Sequence, residues 1–222
     1  MNREIIITAD GSSSIYLPEL EESYHSKHGA IQESYHVFIK SGLNLFKNDS
    51  KISILEIGFG TGLNCLITFL ESQRRNLKVD YYGAEAYPLS MEEVEQLNYV
   101  KELNAHKEAK IFDRIHNNPW NQKLEIIKGF SLTKRQQFFD DIDDKNKFNL
   151  IYFDAFAARV QPELWTEHIF KIMYNSLKKE GILVTYSAKG SVRRAMLSVG
   201  FDVEKLIGPP GKRQMLRARK LI

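Results

Sequence analysis

The chain has 222 residues, a net charge of +3, 43% hydrophobic residues and 27% charged residues, a composition typical of a soluble protein with one α/β domain. Its single cysteine, Cys65, excludes an internal disulfide and favours a reducing compartment. The N-terminus lacks an apolar signal core and no run reaches ~18 apolar residues, so we expect a cytoplasmic protein that is neither secreted nor membrane-spanning.

The N-terminal part of the chain predicts a small hairpin followed by helices. Residues 4–8 and 14–17 are strand-like runs on either side of an Asp-Gly-Ser turn. Residues 18–47 have the pattern of one or two helices interrupted near Gly29.

Strand-like and helical patterns alternate through the rest of the chain. Apolar runs predict strands at residues 51–57, 78–84, 123–128, 148–153 and 181–186. Helices are predicted between them at residues 62–75, 89–116, 131–143 and 162–178. Such alternation is typical of a doubly wound, mostly parallel sheet.

The last segment departs from this alternation. Residues 201–207 and 214–219 are strand-like and flank Gly-Pro-Pro-Gly, which predicts an antiparallel hairpin at the edge of the sheet. A mostly parallel sheet ending in such a hairpin is typical of class I methyltransferases, so we predict a Rossmann-like α/β fold. Residues 1–50 are assigned to an N-terminal hairpin and helical extension and residues 51–222 to the Rossmann-like domain, as one structural unit.

A glycine-rich turn follows the first strand of the main domain. In Glu-x-Gly-x-Gly-x-Gly (residues 56–62) the third glycine comes one residue too early for a dinucleotide-binding fingerprint. The pattern resembles the first motif of S-adenosylmethionine-dependent methyltransferases, whose cofactor has no pyrophosphate to cradle. We therefore predict that S-adenosyl-L-methionine is bound by Glu56, Gly58, Phe59, Gly60, Thr61, Gly62 and Asn64.

An acidic residue stands where this cofactor would need one. Glu85 ends the next predicted strand, 23 residues after Gly62. A carboxylate at that strand end can accept hydrogen bonds from both ribose hydroxyls of a nucleoside. The alternative is a tight structural turn with Glu85 as a surface residue.

The loop after the fourth predicted strand carries the candidate catalytic residue. Ligands of such sheets bind beyond the carboxyl ends of the strands, which places Asp154 opposite the transferable methyl group. Phe156 is expected to wall the pocket or to stack on a base, and Trp165 to pack in the core. The alternative role for Asp154 is a turn or helix-capping residue.

Positive charge is concentrated near the C-terminus. The last 45 residues contain eleven Lys or Arg and three Asp or Glu. Such a balance indicates a surface that faces a polyanion, although a solvated lysine-rich face is the alternative. We predict that RNA phosphates are contacted by Lys189, Arg193, Arg194, Lys212 and Arg213.

Taken together, the motifs resemble one family. In chain order they are residues 23–39 (SYHSKHGAIQESYHVFI), 58–64 (GFGTGLN), 84–88 (AEAYP), 153–165 (FDAFAARVQPELW), 185–201 (TYSAKGSVRRAMLSVGF) and 209–216 (PPGKRQML). The chain closely resembles the N-terminal methyltransferase domain of the bifunctional tRNA 5-methylaminomethyl-2-thiouridine biosynthesis protein, MnmC, and its stand-alone relatives. The resemblance spans nearly the whole chain.

This resemblance implies a function and several residue roles. The expected reaction is methylation of the exocyclic amine of 5-aminomethyl-2-thiouridine at the wobble position of tRNA, with S-adenosyl-L-methionine as cofactor and the anticodon region as partner. The residue matching Asp154 is assigned to catalysis in the family, and the one matching Glu85 to the cofactor. Residues matching Tyr24 and Glu33 are expected to close over that cofactor.

Two departures from the family pattern matter. The chain stops at Ile222, without the flavin-dependent domain of the bifunctional proteins, so a separate enzyme is expected to make the aminomethyl precursor. Many relatives also have Gly-Asp after the third strand, where this sequence has Gly129-Phe130. Either the acidic contact to adenine is missing or Ser131 replaces it.

Three alternative functions stay open from sequence. One is a class I methyltransferase or aminopropyl transferase acting on another amine; another is a non-catalytic RNA-binding module. An NAD-dependent oxidoreductase is least favoured because of the glycine spacing. The six histidines show no ligand spacing and only one cysteine is present, so we predict no metal site.

Overall fold

The computed structural model describes residues 2–221 and contains two β-sheets. A small antiparallel sheet is formed by β1 (Glu4–Ile7), β2 (Ser13–Leu17) and β3 (Glu22–Ser23). The main sheet contains β4 (Lys51–Ile57), β5 (Lys78–Glu85), β6 (Lys123–Ile127), β7 (Phe130–Gln136), β8 (Phe148–Phe153), β9 (Leu177–Thr185), β10 (Asp202–Ile207) and β11 (Gln214–Arg219). Its strand order is β10-β11-β9-β8-β4-β5-β7-β6.

The helices connect these strands. They are α1 (Ala30–Ser34), α2 (Leu63–Arg74), α3 (Met91–Val94), α4 (Tyr99–Glu102), α5 (Ala109–Asn117), α6 (Glu167–Ser176) and α7 (Gly190–Ser198). A π-helical segment, Tyr35–Lys40, extends α1. Short 3-10 turns include Phe139–Asp141 and Pro162–Trp165.

Both faces of the main sheet are buried because alternate residues of its central strands enter two different cores. In β8, Leu150 and Tyr152 pack with α2 and the segment after α1, whereas Ile151 and Phe153 pack with α6 and α7. Strands covered on both faces become nearly continuous apolar runs, which is why the sequence pattern predicts β4 and β8 correctly.

The sheet is mostly parallel, as predicted. The parallel pairs are β4–β5, β4–β8, β5–β7 and β8–β9. The predicted C-terminal hairpin is also confirmed, because β10 pairs antiparallel with β11, and β11 antiparallel with β9. The carboxyl ends of the central strands therefore meet at one edge of the sheet.

The helix predicted at residues 131–143 is wrong. This segment forms β7 and a 3-10 turn, and β7 pairs in parallel with β5 and antiparallel with β6. Its buried residues, Phe130, Leu132 and Lys134, alternate with the period of a strand. The third parallel strand of the main sheet is consequently β7, and the predicted strand at 123–128 is its antiparallel edge partner β6.

The long segment between β5 and β6 covers the sheet. The single helix predicted over residues 89–116 is divided into α3, α4 and α5. Tyr99, Phe112 and Ile115 are buried in the same core as α2. Within residues 2–221, no helix is both long enough and apolar enough to cross a membrane.

Candidate active site

A cavity of about 600 Å³ opens at the carboxyl ends of β4, β5 and β8, a volume suited to a nucleoside-sized ligand. Its floor is formed by the glycine loop (residues 58–62) and by the loop after β8, and residues 20–27 of the N-terminal segment lie across it. Arg159 from the loop after β8 makes a 2.8 Å ion pair with Glu22 of that N-terminal segment. The N-terminal extension is therefore part of the site.

The glycine loop requires glycine for both its conformation and its contacts. Gly58, Gly60 and Gly62 have φ angles of 84°, 47° and 72°. A Cβ on Gly58 would lie 2.6 Å from the carbonyl oxygen of Asp154, and one on Gly60 would lie 3.2 Å from the ring of Tyr24. The loop thereby brings bare backbone to the cavity, while Thr61 is buried beside it.

Glu85 is held against this loop by backbone hydrogen bonds. Its Oε2 accepts from the Gly60 amide at 3.0 Å, and its Oε1 accepts from the Tyr87 amide at 2.9 Å. Each carboxylate oxygen retains a further lone pair. The fixed carboxylate can therefore accept hydrogen bonds from two adjacent hydroxyls of a ligand in the cavity.

A buried hydrogen-bond network links the glycine loop to the candidate catalytic residue. The amide Nδ2 of Asn64 donates to Glu56 Oε1 and to Asp154 Oδ2, both at 2.9 Å. Ser34 donates to Asn64 Oδ1 at 2.5 Å, and Tyr81 donates to Glu56 Oε2 at 2.9 Å. Glu56 is 1% exposed and does not line the cavity, so its connection to the site runs through Asn64.

The two carboxyls of this network have raised pKa values. Burial raises the pKa of Asp154 to about 7; the nearby Glu33 carboxylate adds to that rise, and Asn64 and Lys212 oppose it. Burial also raises the pKa of Glu56 well above its usual range, against the hydrogen bond from Asn64. Asp154 can therefore exchange a proton near neutral pH.

Opposite charges meet at the end of the cavity nearest the terminal hairpin. Lys212 Nζ lies 2.6 Å from Glu33 Oε1 and 3.7 Å from the centroid of the Tyr186 ring. The other Glu33 oxygen accepts from the Ser26 amide at 2.8 Å, and the Tyr186 hydroxyl donates to the Ala155 carbonyl at 2.8 Å. An ammonium group is thus held between a carboxylate and an aromatic face.

Aromatic rings line the opening of the cavity. Tyr24 and Phe156 form an edge-to-face pair with centroids 5.1 Å apart, joining the N-terminal segment to the loop after β8. Trp165 is 4% exposed and donates from Nε1 to the Phe156 carbonyl at 2.7 Å. Trp165 therefore packs behind Phe156, which lines the cavity. Phe59, at the glycine loop, packs against Trp120.

The basic residues singled out from sequence divide into two groups. Lys212 lines the main cavity, whereas Lys189 and Arg213 are exposed and line only a smaller depression, which shares Tyr186 and Lys212 with the main cavity. Arg193 and Arg194 lie in the first turns of α7, Arg194 exposed and Arg193 partly buried. Four cations thus lie outside the main cavity and one lies inside it.

Of the two alternatives for the adenine contact, the replacement by Ser131 is not supported, because Ser131 does not line the cavity. Gly129 and Phe130 lie at the amino end of β7, where the Gly129 carbonyl accepts from the Val79 amide at the start of β5. Phe130 is fully buried, and Ser131 donates to Asp80 at 2.7 Å. These residues occupy the edge of the sheet opposite the cavity, because the strand expected to end at residue 128 is the antiparallel strand β6.

Sequence reasoning also missed residues of the cavity. The loop after the carboxyl end of β7 brings Phe138, Phe139 and Asp140 to it, and a correct assignment of β7 would have found them. His25 and Tyr186 line it as well. Burial lowers the pKa of His25 to about 4, so this ring is neutral at pH 7. Among the described residues, no group of three or more His, Cys, Asp or Glu side chains could hold a metal ion.

Comparisons with known proteins agree with this geometry. A family model described as S-adenosyl-L-methionine-dependent methyltransferase matches residues 92–221. The bifunctional MnmC protein of Azoarcus sp. (strain BH72) is 29% identical over 213 residues, covering 89% of this chain and 33% of that protein. The MnmC protein of Leptospira interrogans (serovar Lai) is 29% identical over 214 residues, with 89% and 32% covered. The chain spans about a third of the length of these relatives.

Solved structures extend the comparison to the fold. The crystal structure of MnmC2 from Aquifex aeolicus superposes with a TM-score of 0.80 and 27% identity, covering 100% of this chain and 70% of that one. Spermidine synthase from Thermotoga maritima has a TM-score of 0.54 and 13% identity, with 94% and 68% covered, a likeness of fold alone.

Proposed function

Because this chain belongs to the S-adenosyl-L-methionine-dependent methyltransferase family, we propose that it methylates the aminomethyl nitrogen of 5-aminomethyl-2-thiouridine at the wobble position of tRNA. The observation that carries this proposal is the raised pKa of Asp154, about 7. Asp154 lines the same cavity as the carboxylate of Glu33 and the ring of Tyr186, which can both bind an amine. The MnmC relatives, which are tRNA 5-methylaminomethyl-2-thiouridine biosynthesis proteins, support the choice of acceptor. Cytoplasmic tRNA is the proposed pool of substrate.

The cavity fits S-adenosyl-L-methionine. The bare backbone at Gly58 and Gly60 leaves space that a Cβ would fill, and Glu85 offers a fixed carboxylate to the ribose hydroxyls. Phe138 and Asp140, on the loop after β7, are proposed to hold the adenine. The remaining cofactor contacts are assigned to Tyr24, Glu33, Phe59, Thr61, Gly62 and Asn64, with Glu56 acting through Asn64.

In the proposed reaction Asp154 positions and deprotonates the acceptor. The bound cofactor supplies an electrophilic methyl group on its sulfonium. An alkylamine is largely protonated near neutral pH, so Asp154 takes one proton from it and orients the nitrogen lone pair toward the methyl group that the cofactor would supply. The sulfonium would give up its methyl group to this nitrogen and leave as a neutral thioether, so the product would be a secondary ammonium, and Asp154 passes its proton to water.

The proposed tRNA contacts surround the cavity opening. Lys189, Arg193, Arg194 and Arg213 are assigned to backbone phosphates, which position the RNA without reading its sequence. Phe156 is assigned to the wobble base, which must leave the anticodon stack to enter the cavity. Methyl transfer consumes a free amine and does not create one, so a separate enzyme is proposed to form the aminomethyl group.

The decisive experiment measures transfer of labelled methyl from S-adenosyl-L-methionine to tRNA that bears 5-aminomethyl-2-thiouridine, followed by mass spectrometry of the nucleosides. We expect one added methyl on the wobble nucleoside. We expect Asp154→Asn to lose at least about 100-fold in turnover, the usual contribution of a general base, while cofactor affinity measured by calorimetry changes little. Transfer to other amines, or cofactor binding without any transfer, would reject this acceptor in favour of another transferase or of an RNA-binding module.

A further inference from the structure

A charge problem arises at the acceptor end of the cavity. Methyl transfer needs a neutral amine, but Glu33 and Asp154 face the same space, and each carboxylate would stabilise an acceptor in its ammonium form. Two carboxylates beside the acceptor would hold its proton more strongly than one. A compensating cation at this end of the cavity would reduce that effect.

Lys212 is such a cation. Its Nζ is 2.6 Å from Glu33 Oε1 and 3.7 Å from the Tyr186 ring centroid, and its side chain is 33% exposed. The hairpin turn that carries it is anchored near the extension, since a Cβ on Gly211 would collide with the ring of His28. His36 Nε2 also lies 2.8 Å from the Ile207 carbonyl oxygen. The fold therefore holds the ammonium of Lys212 at the cavity wall.

We propose that Lys212 is a positioning residue for the methyl transfer: its ammonium neutralises Glu33 and thereby keeps the acceptor amine in its unprotonated, nucleophilic form. This inference rests on the proposed function in that the acceptor is an amine. It gives Lys212 a different role from Arg213, its neighbour in the chain, which is exposed and lies outside the main cavity.

Other charged or titratable side chains reach the same space from every element around it. The acidic side chains that line the cavity are Glu21, Glu22, Glu33, Glu85, Asp140, Asp154 and Glu163. The basic side chains, the histidine and the phenols that line it are Arg3, Tyr24, His25, Lys27, Tyr87, Arg159, Tyr186 and Lys212. Arg159 pairs with Glu22 at the rim, and Glu85 is held by two backbone amides. Glu33 and Lys212 are the charged groups whose fields act on Asp154, and they are bonded to each other, so these three side chains define the acceptor end of the cavity.

Lys212 lowers the pKa values of neighbouring groups, as its proposed role requires. Its positive charge acts to lower the pKa of Asp154 and that of His25, against the Glu33 carboxylate. An acceptor ammonium in the same place experiences the same repulsion and loses its proton at lower pH. The proton goes to Asp154, and no other reactant is needed.

The first test is a pH profile of single-turnover methyl transfer to the tRNA. In Lys212→Met the acceptor faces two carboxylates without a fixed cation. We therefore expect the rising limb of the pH–rate profile, which reports deprotonation of the amine, to shift to higher pH by about one unit. The rate at pH 7 then falls about tenfold and recovers at higher pH. Lys212→Arg retains the charge and the wild-type profile. The double variant Glu33→Gln/Lys212→Met removes one charge of each sign and returns the limb toward its original pH.

Two comparisons separate this role from simpler ones. Arg213→Met is expected to raise KM for tRNA without moving the profile. Lys128→Met, an exposed change at the opposite edge of the sheet, alters neither. A uniform loss of rate in Lys212→Met at all pH values, with no return in the double variant, would show a purely structural role and overturn the proposal.

A second test does not depend on the identity of the acceptor. Sinefungin carries an amino-bearing carbon in place of the methylsulfonium, whereas S-adenosylhomocysteine has no such amine. Calorimetry at pH 7 should show that Lys212→Met tightens sinefungin about tenfold relative to S-adenosylhomocysteine, while Lys212→Arg leaves the ratio unchanged. An unchanged ratio in Lys212→Met overturns the inference even if the tRNA is methylated. A changed ratio without methylation of the tRNA supports Lys212 and rejects only the proposed acceptor.

Discussion

At the scale of single residues, the site depends on one amide that serves two carboxyls. Asn64 donates to both Glu56 and Asp154, and its carbonyl accepts from Ser34. The motif around Glu56 and the loop around Asp154 are both identifiable from sequence. Their connection is not, because residues 56 and 154 are brought together only by the parallel pairing of β4 and β8.

The raised pKa of Asp154 predicts a pH-dependent cost in stability. The carboxyl has a pKa of about 7 in the folded protein against an ordinary value of 3.8, so the folded state binds more protons than the unfolded chain between these values. The contribution of the protonated Asp154 carboxyl to the free energy of unfolding is complete below about pH 4 and is lost as the pH rises through 7. Asp154→Asn does not titrate, and we expect its melting temperature to rise relative to wild type between about pH 5 and pH 8.

The expected size of this effect is on the order of a few kcal/mol in the free energy of unfolding, since each pKa unit corresponds to about 1.4 kcal/mol. Thermal unfolding across that pH range measures it. Asp113→Asn, at an exposed carboxylate of α5, serves as the matched control. If both variants follow wild type at every pH, Asp154 is ionised at its usual pKa and its role as a base near neutrality is rejected.

At the scale of secondary-structure elements, the glycine loop and β7 show how far pattern reasoning reaches. Strand β4, the turn and α2 lie where the sequence predicts them, because an apolar strand, spaced glycines and a largely apolar segment directly after the glycines are local signals. The segment of β7 resembles a helix in sequence because it contains Lys134 and Arg135 and lacks a continuous apolar run. Its pairing with β5 and β6 overrides that local preference.

The close approach of β4 and the loop after β8 yields a prediction with an internal control. Gly58→Ala places a Cβ 2.6 Å from the Asp154 carbonyl, so we expect the loop bearing Asp154 to shift and turnover to fall at least tenfold. Gly129→Ala has a similar φ, +91° against +84°, but its Cβ would meet only Lys78 at 3.9 Å. Both variants should lose about 1–2 kcal/mol of stability from backbone strain.

Methyl-transfer rates and chemical denaturation, measured on both variants, distinguish displacement of Asp154 from general destabilisation. Equal loss of turnover in Gly58→Ala and Gly129→Ala would contradict the assigned contact. A loss confined to Gly58→Ala supports it.

At the scale of the whole molecule, the distribution of charge matters more than the net charge of +3. The terminal basic segment folds back beside the cavity, with Lys189 and Arg213 next to its opening and Arg193 and Arg194 on α7. The acidic residues between 140 and 144 are divided between two places: Asp140 lines the cavity, and Asp144 pairs with Arg135 and Lys147.

This arrangement predicts salt-dependent binding of tRNA. Each phosphate contact releases counterions, so the affinity should fall steeply as salt rises from about 50 to 200 mM, with a double-logarithmic slope of magnitude about 3–4 for the four assigned cations outside the main cavity. Replacing Arg194 or Arg213 with Gln should reduce the slope by about one unit each. Lys128→Gln is the control. A flat salt response, or equal effects of all three changes, would exclude this surface.

The sequence by itself determined the fold class, the glycine loop, Glu85 and Asp154, because these are signalled by local patterns: strand periodicity, glycine spacing and strand ends. Only the tertiary structure decided that Lys212 faces Glu33 while Arg213 stays outside, that Glu56 is bonded to Asn64 and does not line the cavity, and that the loop after β7 reaches the cavity. Those facts depend on contacts between segments that are far apart in the chain. In the turn between β10 and β11, two adjacent cations lie on different sides of the hairpin, and the local sequence does not show which of them faces the cavity.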